Sequence, residues 1–116
     1  MNAARIISVY VDTSVFGGVF DDEFASASKA FLQDIVAGRF ALVTSELVRQ
    51  EIATAPPAIR ELFADLLPVA EIAPVTTETV QLQQAYLAAG IVSARFATDA
   101  LHVALATLSS ASMIVS

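Results

Sequence analysis

Two rhythms of hydrophobic positions alternate along this chain. The first is a nearly unbroken apolar run, Ile6-Ile7-Ser8-Val9-Tyr10-Val11, which ends on Asp12-Thr13-Ser14 and then the pair Gly17-Gly18. A run so short of polar residues predicts a strand buried on both faces, hence a parallel one. The glycine pair reads as a turn. Asp21-Asp22-Glu23 supply acidic residues for a helix start, and Phe24, Ala27, Phe31 and Ile35 then recur at helical spacing as far as Gly38. Phe40–Thr44 predicts a second strand, after which Ser45 is placed to cap a helix over about Glu46–Thr54. Pro56-Pro57 open a third helix, anchored by Ile59, Leu62, Phe63, Leu66 and Leu67. Val69–Ala73 follows as a short strand, put at an edge by Glu71 and Pro74. Thr76–Ala89 predicts a fourth helix, held by Val80, Leu82, Tyr86 and Leu87 and stopped by Gly90. Phe96–Leu108 is apolar almost all round, as a buried helix is, with Asp99 and His102 as its only polar stripe. Met113–Ser116 begins a fourth strand.

This order of strands and helices argues for an α/β fold. It predicts a three-layer α/β/α sandwich on a mostly parallel four-stranded sheet, with residues 1–116 as a single domain. Composition sharpens the picture. The chain is 56% hydrophobic and 16% charged. Asp12, Asp21, Asp22, Asp34, Asp99 and His102 nevertheless break every apolar run before it reaches membrane-spanning length. The surplus is then expected on helices buried on several sides, or on a surface kept for a partner. The first apolar run stops too soon for a secretory signal, and no cysteine is present, so a cytoplasmic location is expected. Net charge is −6, which removes the basic footprint of a simple nucleic-acid-binding module. It leaves room for an enzyme that meets phosphates through a divalent cation, since the ion reverses the local sign.

Three carboxylates carry the candidate chemistry. Asp12 ends the first strand, and in open α/β sheets ligands gather beyond the carboxyl ends of the strands. Glu51 projects into the same sector of its helix as Leu47, Val48 and Ile52, whereas Glu46 projects away. Asp99 opens the most apolar helix. In a right-handed parallel sheet all three reach one rim, and three clustered carboxylates need a cation among them. Oxygen donors without thiolates favour a hard ion, Mg²⁺ or Mn²⁺, able to activate water against a phosphodiester. Each acid also has an ordinary reading: a turn residue for Asp12, a helix-rim glutamate for Glu51, a dipole-favoured first-turn carboxylate for Asp99. His102, one turn after Asp99, reads as a packed histidine with at most a supporting role, and Thr13 and Ser14 as local caps first. Of the scattered basic residues, Arg49 and Arg95 lie nearest the acids in sequence.

Three segments together resemble the PIN-domain ribonucleases, specifically VapC-type toxins of bacterial toxin–antitoxin pairs. They are Val11-Asp12-Thr13-Ser14-Val15-Phe16, Thr44-Ser45-Glu46-Leu47-Val48-Arg49-Gln50-Glu51-Ile52 and Asp99-Ala100-Leu101-His102-Val103-Ala104-Leu105-Ala106. Each is weak alone; in this order and spacing they are fairly specific. The resemblance implies a parallel sheet, RNA as substrate, and Mg²⁺ or Mn²⁺ held by Asp12, Glu51 and Asp99 as the catalytic acids. Thr13 and Ser14 match the hydroxyl positions after the first acid. A homodimer seam and a groove for an antitoxin would use the surplus apolar surface. The sequence departs from the family at its end: Ser116 stands where a further acid or asparagine and a fifth strand would follow, so a truncated domain without its last strand is expected. Two rival readings follow: an inactive PIN domain that works by binding an antitoxin, and a haloacid-dehalogenase-like hydrolase with Asp12 as nucleophile. The second is weakened by Ser14, which occupies the place of that family's second aspartate.

Overall fold

The computed structural model describes residues 6–90, 96–109 and 111–115. Its sheet contains β1 (Ile7–Val11), β2 (Phe40–Ser45), β3 (Ala70–Ala73) and β4 (Met113–Val115), in the order β3-β2-β1-β4. Every neighbouring pair runs parallel, with Ile7 beside Phe40, Leu42 beside Ala70 and Val9 beside Met113. The helices are α1 (Thr13–Gly18), α2 (Ala25–Val36), α3 (Glu46–Ile52), α4 (Pro57–Leu66), α5 (Thr77–Ala88) and α6 (Ala97–Leu108). Parallel strands require crossover connections, and here those crossovers clothe the sheet. Helices α1 to α4 pack among themselves, and α5 packs against α6. Tyr10 reaches α6 from β1, one of the two inner strands, so pleat alternation turns Val9 and Val11 to the opposite face. The α/β architecture with β3 at an edge is as the sequence predicts, and the sheet is wholly parallel. Among the described residues no helix is long and apolar enough to cross a membrane.

The departures are local and have physical causes. Gly17 and Gly18 are not a free turn; they close the short helix α1, whose Val15 and Phe16 are buried. A Cβ at Gly18 would lie 2.6 Å from Ser28 Oγ, a contact that rotation of the Ser28 hydroxyl relieves. Asp21-Asp22-Glu23 lie in the turn before α2, where the Asp21 carboxylate accepts the Glu23 N–H. Helix α2 buries Leu32 and Ile35 and leaves Phe24 exposed, so its inward stripe is rotated from the predicted one. The anchor Val80 of α5 is likewise exposed, and that helix starts instead on a Thr76–Thr79 capping box. Helix α6 is buried along Ala100, His102, Ala104, Leu105 and Ala106, but Phe96 and Leu108 at its ends are exposed. Strand β1 is buried only over Val9, Tyr10 and Val11; Ile6 and Ile7 face solvent. Arg5, Arg95 and Ser116 lie outside the described residues.

Two strands, β1 and β2, run directly into helices at the carboxyl rim, on Asp12 and Ser45. Ser45 caps α3 in the ordinary way, its Oγ accepting the Val48 N–H at 3.1 Å. Removing that cap by Ser45→Ala should lower stability by about 1–2 kcal/mol. The urea midpoint measures this, and Ser45→Thr, which restores a capping hydroxyl, should recover most of the loss.

Candidate metal centre at the carboxyl rim

Asp12 occupies the N-cap position of α1, yet its side chain makes no capping hydrogen bond. An aspartate at an N-cap normally accepts an N–H from the first turn. Here only its backbone is engaged, donating to Val115 O at 3.0 Å and accepting from Val15 N at 3.1 Å. The carboxylate is left for the rim, where its Oδ1 lies 3.8 Å from His102 Nε2.

Glu51 arrives from the inward side of α3 and is half-buried. Its Oε1 accepts two hydrogen bonds, from Thr13 Oγ1 at 2.8 Å and from His102 Nε2 at 3.0 Å. Both donors fall on one carboxylate oxygen, so Oε2 carries none among the described residues. Glu46, on the far side of α3, pairs instead with Arg49 at 3.5 Å. Arg49 is two residues from Glu51, a spacing that does not share a helix face. Among the described residues no lysine or arginine pairs with Asp12 or Glu51.

His102 is buried and its ring is held from both sides. Nδ1 lies 2.7 Å from Tyr10 Oη, which lies 2.8 Å from Ser45 Oγ. The Tyr10 phenol is pushed up to about 12, chiefly by burial, with the charges of Asp12 and Glu51 adding to the rise and the Ser45 hydrogen bond opposing it. Tyr10 is therefore a neutral hydroxyl at physiological pH.

One potential ligand atom each from Asp12, Glu51 and His102 lie within 4.8 Å of one another. Two carboxylates this close, with no lysine or arginine between them, form a site that a cation would stabilise. Two oxygen donors and an imidazole rim suit a divalent ion that retains several waters. The donor set therefore fits Mg²⁺ or Mn²⁺. Asp99 is exposed in the first turn of α6, one turn before His102, and lies outside this cluster. Helix α6 runs back toward β4, which places its N-terminus, and Asp99, at the same end of the sheet as Asp12. Thr13 turns to Glu51, and Ser14 is exposed beside an apolar cavity of about 320 Å³ between α1 and α2.

Of the residues singled out in the sequence, the structure thus brings Asp12, Thr13, Glu51 and His102 together. Tyr10 was not among them. The signal for it is a lone hydroxyl inside an aliphatic strand, since a buried tyrosine oxygen needs a partner.

Residues 9–116 match the family model described as PIN domain. In three dimensions the chain is similar to a chain in the crystal structure of VapBC2 from Rickettsia felis bound to a DNA fragment from their promoter. The two share 13% sequence identity with a TM-score of 0.64, over 94% of this chain and 87% of that one. That likeness is one of fold. No curated protein matches the sequence.

Proposed function

This chain belongs to the PIN domain family, and on that premise we propose that it is a metal-dependent endoribonuclease of the toxin type, folded as one domain over residues 1–116. One observation carries the proposal: Asp12 gives up the N-cap bond its position offers and instead meets Glu51 and His102 at the carboxyl rim. Asp12 and Glu51 would hold Mg²⁺ or Mn²⁺, with Asp99 joining from the start of α6. The ion, when bound, supplies an activated water and stabilises charge on the phosphoryl oxygens. The protein's own residues set the stage. Thr13 and His102 fix Glu51 through its Oε1, and the buried Tyr10–Ser45 pair fixes His102. An RNA phosphodiester is the substrate this arrangement suits, reaching an otherwise acidic chain through the cation.

An antitoxin protein in the cytoplasm is the proposed partner, a reading in keeping with the fold shared with a chain of VapBC2. Between α2 and α4 lies an apolar trough of about 440 Å³, lined by Val19, Leu32, Val36, Leu62 and Leu66, with Lys29 and Asp65 among its polar residues. It has the character of a groove for an amphipathic antitoxin helix. A homodimer is the proposed assembly.

The test is cleavage of RNA with Mg²⁺ or Mn²⁺, with EDTA and Asp12→Ala as controls. Metal-dependent cleavage that EDTA abolishes is the expected outcome. Equal cleavage by Asp12→Ala would trace the activity to a contaminant and remove the proposal. A chain that neither binds the ions nor cleaves, yet captures an antitoxin helix, would be a binding module instead.

A further inference from the structure

The Tyr10–Ser45–His102 chain has a polarity that can be assigned proton by proton. A carboxylate oxygen accepts, so at 3.0 Å the His102 Nε2 is the donor to Glu51. In its neutral form the imidazole carries one N–H, which leaves Nδ1 as an acceptor. Tyr10 then donates its O–H into Nδ1 at 2.7 Å, and Ser45 donates its O–H to the Tyr10 oxygen at 2.8 Å. Ser45 Oγ still accepts the Val48 N–H at 3.1 Å. Every proton has an acceptor. The reverse polarity sets the Nε2 lone pair against a carboxylate oxygen. It also leaves the Ser45 O–H without an acceptor among the described residues.

We propose that Tyr10 is a positioning residue: by donating into Nδ1 it reinforces the Nε2–H tautomer that Glu51 selects, so that His102 clamps Glu51 as a donor and does not ligate the ion. Distance alone makes His102 a third potential ligand. A metal-ligating histidine, however, donates its other ring N–H to a neighbouring acceptor, and here the neighbouring hydroxyl is the donor. The clamp from His102 and Thr13 falls on Oε1 of Glu51, which leaves Oε2 for the cation. The role of Tyr10 toward the ion rests on the metal-centre reading above; the tautomer itself does not.

The chain has one histidine, so ¹⁵N-labelled imidazole gives a single pair of ring-nitrogen signals. Spectra are recorded at about pH 8.5, above the ordinary imidazole range, before and after adding Mg²⁺. The expected pattern has the proton on Nε2 and Nδ1 unprotonated, unchanged by Mg²⁺. Tyr10→Phe, checked for folding by circular dichroism, should keep the proton on Nε2, since Glu51 still accepts it, and should shift the Nδ1 signal toward that of an unprotonated nitrogen with no hydrogen bond. It should also weaken Mn²⁺ binding roughly tenfold. A wild-type proton on Nδ1, loss of the Nε2 proton to Mg²⁺, or an Nδ1 signal unchanged in Tyr10→Phe would overturn the proposal. If Tyr10→Phe does not fold, the wild-type spectra with and without Mg²⁺ decide. Absence of RNA cleavage beside the expected spectrum would sink the nuclease reading and leave the tautomer assignment standing.

Discussion

Asp12→Asn is expected to reduce Mg²⁺-dependent RNA cleavage by on the order of 10²–10³-fold while leaving the fold intact, since removing one ligand forfeits several kcal/mol of charge stabilisation. The substitution changes almost nothing but charge. The Asp12 side chain makes no capping bond, and its structural contribution is a backbone link to β4 and to the first turn of α1. Asparagine keeps that backbone and the side-chain volume. Loss of a carboxylate beside Glu51 also relieves like-charge repulsion in the metal-free protein. The urea midpoint should therefore hold or rise slightly, and the divalent-ion affinity should collapse. Unfolding of Asp12→Asn would mean that Asp12 serves the fold; unchanged cleavage would mean that it serves neither.

Phe16→Ala should cost about 3–5 kcal/mol, the largest stability loss expected from a single side chain here. Phe16 is 0% exposed, and its ring centroid lies 5.2 Å from that of Phe63 on α4. Truncation leaves a cavity where α1 meets α4. Total stability of a domain this size is about 5–15 kcal/mol, so much of the folded margin would go. The control is Phe24→Ala: Phe24 is 54% exposed and its loss should shift stability by no more than about 0.5 kcal/mol. Equal urea midpoints for the two variants would refute the assignment of Phe16 to the core. Because α1 also carries Thr13, the Phe16 variant should lose site function in step with its folded fraction.

What the sequence reveals and what it hides divide along range. Strand and helix alternation, the Ser45 cap and the inward direction of Glu51 all follow from local periodicity, and the structure keeps them. Helix α1 is hidden because two of its six residues are glycine, a poor helix former. Burial of Val15 and Phe16, a tertiary effect, makes it helical. The rotation of α2 has the same origin: Leu32 and Ile35 face a core that spacing alone does not locate. At the site, the partner of Tyr10 lies 92 residues along the chain, and that of Glu51 on His102 lies 51 residues away. No local pattern encodes those pairings. Strand and helix placement in a parallel sheet predicts one rim for Asp12, Glu51 and Asp99, and the structure groups the first two with His102. Asp99 differs: its helical position places it at the right end of the sheet, while its side chain stays exposed.

The central claim is that Asp12 and Glu51 grip one divalent cation at the carboxyl rim of the sheet. Crystals soaked in Mn²⁺ and measured for anomalous scattering address it without any assay. A peak is expected within bonding distance of both carboxylates, and it should disappear in Asp12→Asn crystals. A peak bound elsewhere, or none beside Asp12 at saturating Mn²⁺, would contradict it.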